Sequence, residues 1–194
     1  MASYSDNFDR ADGEIGANWV EDNGDIDIVS NRANNQTAGA FNRARYASAL
    51  DSADHYCEAG ISSAESTVDG GVTCRQASST QTYYTAAYIE QSNGTGYRLR
   101  KLVAGAETDL DTAASGAGEK VIKLTVNGAT QSMEVADVEV CTGTDAVITS
   151  GAYAGMAGWA NRASYNDWSA ADLGGVASLS ISVFDCVEAR AILI

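Results

Sequence analysis

The chain has no proline, a single histidine and only three lysines in 194 residues. Without proline, its turns must be built from Gly, Asn, Asp and Ser, the residues that accept positive φ or bond to their own backbone. With 12 Lys plus Arg against 26 Asp plus Glu, the formal net charge is −14. A polyphosphate backbone would be repelled, and no basic stripe is present to overcome that, so nucleic acid and anionic membrane are excluded as expected partners. No run is apolar over the length a membrane span requires, and the first residues, Met1 to Asp6, have neither a basic nor an apolar segment. The protein is therefore expected to be made in a cytoplasm and not to leave by the usual secretory signal. No helical period of 3.6 is sustained, and no repeat or linker divides the chain. With 45% apolar residues, one hydrophobic core burying about 70% of the unfolded surface is expected.

What is present is a ladder of short β-rich runs. Strands are predicted at 25–29, 40–46, 56–62, 71–76, 82–91, 96–104, 120–126, 131–141, 153–160, 165–171 and 179–183. Asn93-Gly94 and Asn127-Gly128 fall between pairs of these runs, where a tight antiparallel hairpin needs positive φ. The clearest alternation puts Ile122, Leu124 and Val126 on one face and Lys123 and Thr125 on the other. Residues 42–52 are rich enough in alanine to carry a short helix, and composition leaves helix and strand both open there.

Two segments frame this ladder: Asp6-Asn7-Phe8-Asp9-Arg10-Ala11-Asp12-Gly13 leading to Asn18-Trp19, and Tyr165-Asn166-Asp167-Trp168-Ser169-Ala170-Ala171-Asp172-Leu173. With the strands between them, they resemble the concanavalin A-like lectin/glucanase (laminin-G-like) domain, of the kind also found in phage virion structural proteins. The resemblance implies an all-β fold, a two-sheet antiparallel jelly-roll sandwich over 1–173. Residues 174–194 would then be an extension. The apolar end, Ala191, Ile192, Leu193 and Ile194, suits either an extra strand of the same domain or an arm docking on a neighbouring subunit. Trp19 and Trp168, within the framing segments, are expected in the core.

Each candidate for chemistry has a structural alternative. Glycosidases of the resembled fold carry carboxylates at every second residue of one strand, since retaining hydrolysis needs an acid and a nucleophile about 5 Å apart. Here Asp137 and Glu139 share a strand face but Glu134 lies on the opposite one. His55 beside Asp54 has no nucleophile-elbow motif to serve, and reads as a strand-entry residue. No catalytic residue is therefore predicted. Asp6, Asp9 and Asp12, and Asp22, Asp25 and Asp27, could supply oxygen ligands for calcium, although no EF-hand loop is formed and Asx turns explain them equally. No other cofactor is expected. Cys57, Cys74, Cys141 and Cys186 lack zinc-site spacing. Cys57 and Cys74 would lie nearly opposite in a hairpin centred on 64–68, where a bridge would contribute roughly 3 kcal/mol. A reducing compartment would leave them as buried thiols.

Exposed aromatic rings beside polar groups are the means by which a sheet binds sugar. Tyr84 and Tyr88 share a parity, as do Arg98 and Arg100, and Trp159 with Asn161 and Arg162 would extend the patch. The alternative is that tyrosine is a good strand former in half-buried positions. The leading expectation is a non-enzymatic virion structural protein, a capsid decoration or tail-associated subunit. Its partners would be shell or tail subunits and copies of itself. The alternative is a carbohydrate-binding module recognising a cell-surface glycan, with a glycan hydrolase third.

Overall fold

The computed structural model describes residues 1–63, 68–91, 94–115 and 118–174. Sixteen strands are present: β1 (Ser3–Asp6), β2 (Gly13–Glu14), β3 (Trp19–Asn23), β4 (Ile26–Ile28), β5 (Ala33–Asn35), β6 (Phe41–Tyr46), β7 (His55–Ser63), β8 (Val68–Gln76), β9 (Tyr83–Gln91), β10 (Gly94–Val103), β11 (Ala106–Ala114), β12 (Lys120–Asn127), β13 (Thr130–Val135), β14 (Val138–Thr144), β15 (Tyr153–Trp159) and β16 (Ala163–Asp172). They form two antiparallel sheets packed face to face. The nine-stranded sheet runs β14-β13-β12-β7-β16-β5-β4-β2 with β1 added alongside β16, and the seven-stranded sheet runs β11-β10-β9-β8-β15-β6-β3. The protein is an all-β sandwich, as expected.

The core lies between the sheets. The alternation read from 120–126 holds, with Ile122, Leu124 and Val126 fully buried. Residues 42–46 belong to a strand, not a helix. The hairpin at Asn127-Gly128 also holds: Gly128 has φ +57°, and Asn127 pairs with Thr130 across a two-residue turn. The hairpin joining β9 and β10 pairs Gln91 with Gly94, while residue 93 lies outside the described residues.

Other turns are less legible. The stretch 131–141 is two strands, because Ala136 and Asp137 turn the chain at φ 49° and 64°. A similar Ala104-Gly105 turn, with φ 50° and 83°, leads into β11, a strand with no apolar alternation to announce it. The short β1, β2, β3 and β5 were likewise not anticipated. Residues 64–67 and 175–194 lie outside the described residues, and with them the centre of the expected 64–68 hairpin, the strand 179–183, Cys186 and the apolar end 191–194. Strands β7 and β8 do not pair; they belong to opposite sheets. Cys57, Cys74 and Cys141 are buried free thiols. Burial pushes the Cys57 thiol up to about 12 and that of Cys141 to about 11, so they act as small apolar groups.

The two framing segments meet. Strand β1 pairs with β16, from Ser3 opposite Ala171 to Asp6 opposite Trp168. The Asp6 carboxylate accepts from the Phe8 backbone N–H (2.9 Å), from two nitrogens of Arg10 (2.7 and 3.1 Å) and from Trp19 Nε1 (2.9 Å). Trp19 packs edge-on to Trp168 with centroids 4.7 Å apart, and Tyr46 stacks on Trp168 at 5.4 Å. At the other end of the β1–β16 pair, the Asp172 carboxylate accepts from the backbone N–H groups of Ala2 (2.6 Å), Ser52 (2.9 Å) and Asp51 (3.3 Å). Burial alone would raise both carboxyls. These donors outweigh it and hold both below the ordinary carboxylate range.

A lowered folded pKa contributes stability that is fully present above the unfolded carboxyl value of about 4 and is lost as pH falls through the folded value. Asp6→Ala strands Trp19 Nε1 at the seam and leaves the Arg10 guanidinium with Ile15 O and solvent as its partners. It should cost about 2 kcal/mol in urea denaturation at neutral pH. The fall in stability on acidification should also be shallower in the variant than in the parent, and an equally steep fall would show that Asp6 is not part of the acid-sensitive seam.

Candidate functional site

On the face of the seven-stranded sheet turned away from the core, the register places residues in rows across the strands. One row runs from Phe41 on β6 to Trp159 on β15, past Asp69 beside the Gly158–Gly70 pair, then through Ile89 and Gly96 to Ala114. The next runs Arg43, Ala157, Gly71, Ala87, Arg98, Thr112. Asp69, Ile89 and Gly96 of the first row form the floor of an open trough. The side walls are larger groups: Trp159 and Phe41 at one end, Arg98, Arg100 and Glu107 at the other. They enclose a trough of ≈ 850 Å³, within the size range of ligand sites.

The aromatic wall is fixed from below. Phe41 meets Trp159 edge to face, with centroids 5.3 Å apart. After Trp159 the chain turns through Ala160 at φ 54° into one turn of 3-10 helix, Ala160–Arg162. The Ala160 N–H donates to Ala40 O (2.7 Å), and the buried Asn42 amide donates to Ala160 O (2.8 Å) and Thr37 O (3.1 Å). Trp159 nevertheless keeps 36% of its surface open, which is unusual for a tryptophan so firmly mounted.

The polar wall comes from β10 and β11. A bulge lets one carboxylate serve two guanidiniums: the register jumps from Leu99 opposite Asp111 to Arg100 opposite Asp109. Asp109 accepts from Arg98 Nη1 (3.1 Å) and Arg100 Nε (2.9 Å), and Arg100 also pairs with Glu107. Arg98 and Arg100 thus stand in the trough with their charges matched by β11.

Of the five residues expected to bind sugar, the structure gathers Arg98, Arg100 and Trp159 in this trough. Tyr84 and Tyr88 are elsewhere: both are fully buried, on the core face of β9. Tyr84 donates to Asp145 Oδ1 (2.7 Å) and Tyr88 to Glu90 Oε2 (2.7 Å). The physical reason is parity. Arg98 and Arg100 pair with Ala87 and Thr85, so the residues of β9 on their face are 83, 85, 87 and 89. Tyrosines on both faces of β9 made the choice unreadable from the strand alone. Sequence reasoning also missed Phe41, Asp69, Ile89, Glu107, Asp109 and Thr112. The usable signal was the Ala104-Gly105 turn, which folds the acids at 107 and 109 back onto the arginines at 98 and 100.

The remaining candidates are structural. His55 is buried, its Nδ1–H donating to Ser52 O (3.1 Å) while Nε2 accepts from the Arg75 N–H (3.1 Å). Burial lowers its pKa, and with both nitrogens engaged by backbone groups neither is free to take part in proton transfer. Glu134 is paired with Lys123 (3.1 Å) and Asp137 sits in a turn, so the strand-face relation of Asp137 with Glu139 does not arise. Among the acidic clusters, Asp6 serves the seam, Asp12 accepts from the Ser30 N–H (2.8 Å), and Asp22 accepts from Arg45 Nε (3.2 Å to Oδ2) and Gln76 Nε2 (2.9 Å). Among the described residues, no group of three or more His, Cys, Asp and Glu side chains is placed to hold a metal ion.

No family model and no curated protein matches the chain in sequence. Solved structures do match in fold. The carbohydrate binding module CBM66 from Bacillus subtilis superposes with TM-score 0.69 at 14% identity, covering 82% of this chain and 99% of that one. The GH43 protein BlXynB from Bacillus licheniformis gives 0.66 at 16% over 87% of this chain, which spans only 39% of that larger protein. The exoplasmic/lumenal domain of VIP36, in its Ca2+/Man3GlcNAc-bound form, gives 0.57 at 8%, with 80% and 84% covered. The chain therefore has the lectin-like jelly-roll sandwich fold. At these identities the likeness shows architecture alone.

Tyr84→Phe should lower stability by about 1 kcal/mol in denaturant unfolding, because the half-buried Asp145 carboxylate loses one of its donors and the buried Ile148 N–H loses its acceptor. A variant as stable as the parent would show that the hydroxyl is dispensable to the core.

Proposed function

We propose that the protein is a non-catalytic glycan-binding module and that its ligand lies in the trough of the seven-stranded sheet. The observation that carries this reading is the half-exposed, rigidly mounted Trp159 ring facing a set of guanidinium and carboxylate groups across a floor of Asp69, Ile89 and Gly96. The apolar face of a pyranose stacks on such a ring, while its hydroxyls bond to polar groups of both donor and acceptor kind. Arg98, Arg100, Glu107, Asp69 and Thr112 supply those groups. Lectin-like and carbohydrate-binding neighbours in fold support the reading by analogy.

A binding role fits better than hydrolysis. Glycoside cleavage needs one carboxyl as proton donor and another as nucleophile or base. Glu107 and Asp109 are both engaged by arginines on an edge strand. A virion subunit with such a module would use it to touch a host surface glycan. Docking to shell or tail subunits and self-association were expected of 191–194, which lie outside the described residues, so glycan binding is the reading the geometry supports.

Trp159→Ala should weaken binding of whichever glycan an array identifies by about tenfold or more, roughly 1.4 kcal/mol. The thermal midpoint should fall by only a few degrees, because the lost packing is the edge-to-face contact with Phe41 at the surface. Unchanged affinity by calorimetry would remove Trp159, and the trough with it, from the binding site.

A further inference from the structure

Taking the glycan-binding reading as its basis, the pattern of charges and the width of the trough narrow the ligand class. Each of the two trough arginines already has an anion: Arg98 pairs with Asp109, and Arg100 with both Asp109 and Glu107. Asp69 adds another carboxylate at the floor. The protein around the site carries a net charge of −14. A uronate or sulfate bonding to the remaining N–H groups would have to share each guanidinium with Asp109 or Glu107, so that two or more anions crowd one cation, against a repulsive field at longer range. A neutral sugar meets no such cost. Its hydroxyls can donate to the outer lone pairs of the carboxylates and accept from the remaining guanidinium N–H groups while the ion pairs stay intact.

The sheet also sets a length. Trp159 is on β15 and the Glu107/Asp109 pair is on β11, with β8, β9 and β10 between them. Four strand spacings amount to about 19 Å, a span that calls for a chain of several sugar residues rather than one or two. The path between the walls is oblique: the row through Trp159 passes Asp69, Ile89 and Gly96 to Ala114, while Asp109 pairs with Arg100 two rows further along β10.

We propose that the trough takes a neutral, linear oligosaccharide of several residues laid obliquely across the strands, stacked on Trp159 at one end and bonded to the Arg98, Arg100, Glu107 and Asp109 array at the other, and that it discriminates against uronate and sulfated chains. The array acts as a charge filter as well as a set of hydroxyl partners. Removing its carboxylates should convert the trough to an anion-accepting site.

The test is calorimetry of the full chain with gluco-, xylo-, galacto- and manno-oligosaccharides of two to six residues, and with oligogalacturonates of the same lengths. Affinity for at least one neutral series should rise tenfold or more from two to four residues and then level off, with the uronates at least a hundredfold weaker. The double variant Glu107→Gln, Asp109→Asn should narrow that preference by tenfold or more. Asp111→Asn, on the opposite face of the same strand, serves as the folding control. Uronates binding as well as neutral chains, or affinity independent of length, would overturn the inference while leaving glycan binding in place. If no series of either class binds and Trp159→Ala changes nothing, it is the glycan-binding reading itself that falls.

Discussion

Both sheets are completed by strands from late in the chain, and the rest of the architecture depends on that closure. Strand β16 inserts between β7 and β5 and also pairs with β1, while β15 inserts between β8 and β6. Neither sheet can be continuous until residues 153–172 have arrived, so the fold is dominated by pairings between distant parts of the sequence. The seam of β1 and β16 is where this closure is held. Asp6 gathers Arg10 and Trp19, the Trp19, Tyr46 and Trp168 rings pack against one another, and Asp172 collects three backbone donors at the opposite end. A buried carboxylate satisfied by several donors is favourable only in that one arrangement, so it fixes register as well as contributing stability.

The trough inherits its shape from the same closure. Trp159 is the last residue of β15, and the turn after it leads directly into β16, so the stacking ring is mounted on the link between the two late strands. Asn42 ties that link to the 37–40 loop through hydrogen bonds to Thr37 O and Ala160 O. The polar wall is built differently. It stands on β11 at the sheet edge, where one β-bulge brings Asp109 within reach of both arginines. One wall is therefore anchored in the interior of the sheet, and the other on its border.

Sequence patterning is readable where one face of a strand is apolar and the other is not. That condition holds in 120–126, and there the core residues and the Gly128 turn were all legible. It fails in β9, whose two faces read Tyr83, Thr85, Ala87, Ile89 and Tyr84, Ala86, Tyr88, Glu90. Both faces are largely buried, one against the other sheet and one along the trough and the small cluster of Tyr83, Leu102 and Ala157. Parity alone could not say which tyrosines face the core, and the expected platform of Tyr84 and Tyr88 was placed on the wrong side. Strand β11 was invisible for a different reason: an exposed edge strand needs no apolar alternation, and its entry turn uses an alanine at positive φ. Arg98, Arg100 and Trp159 are legible as positions outside the core because a charge, or a large ring at the end of a strand, is seldom placed in a core. Their carboxylate partners are not, because the pairing exists only once β11 folds back on β10.

The most direct test of the account is a backbone amide NMR titration with a glycan that the protein binds. The account predicts that shift changes concentrate on β9, β10, β11 and β15, centred on Trp159 and Arg98, with the nine-stranded sheet unaffected. Changes centred on β12, β13 and β14, or on the acidic loops near the amino terminus, would contradict it and place the binding surface elsewhere on the sandwich.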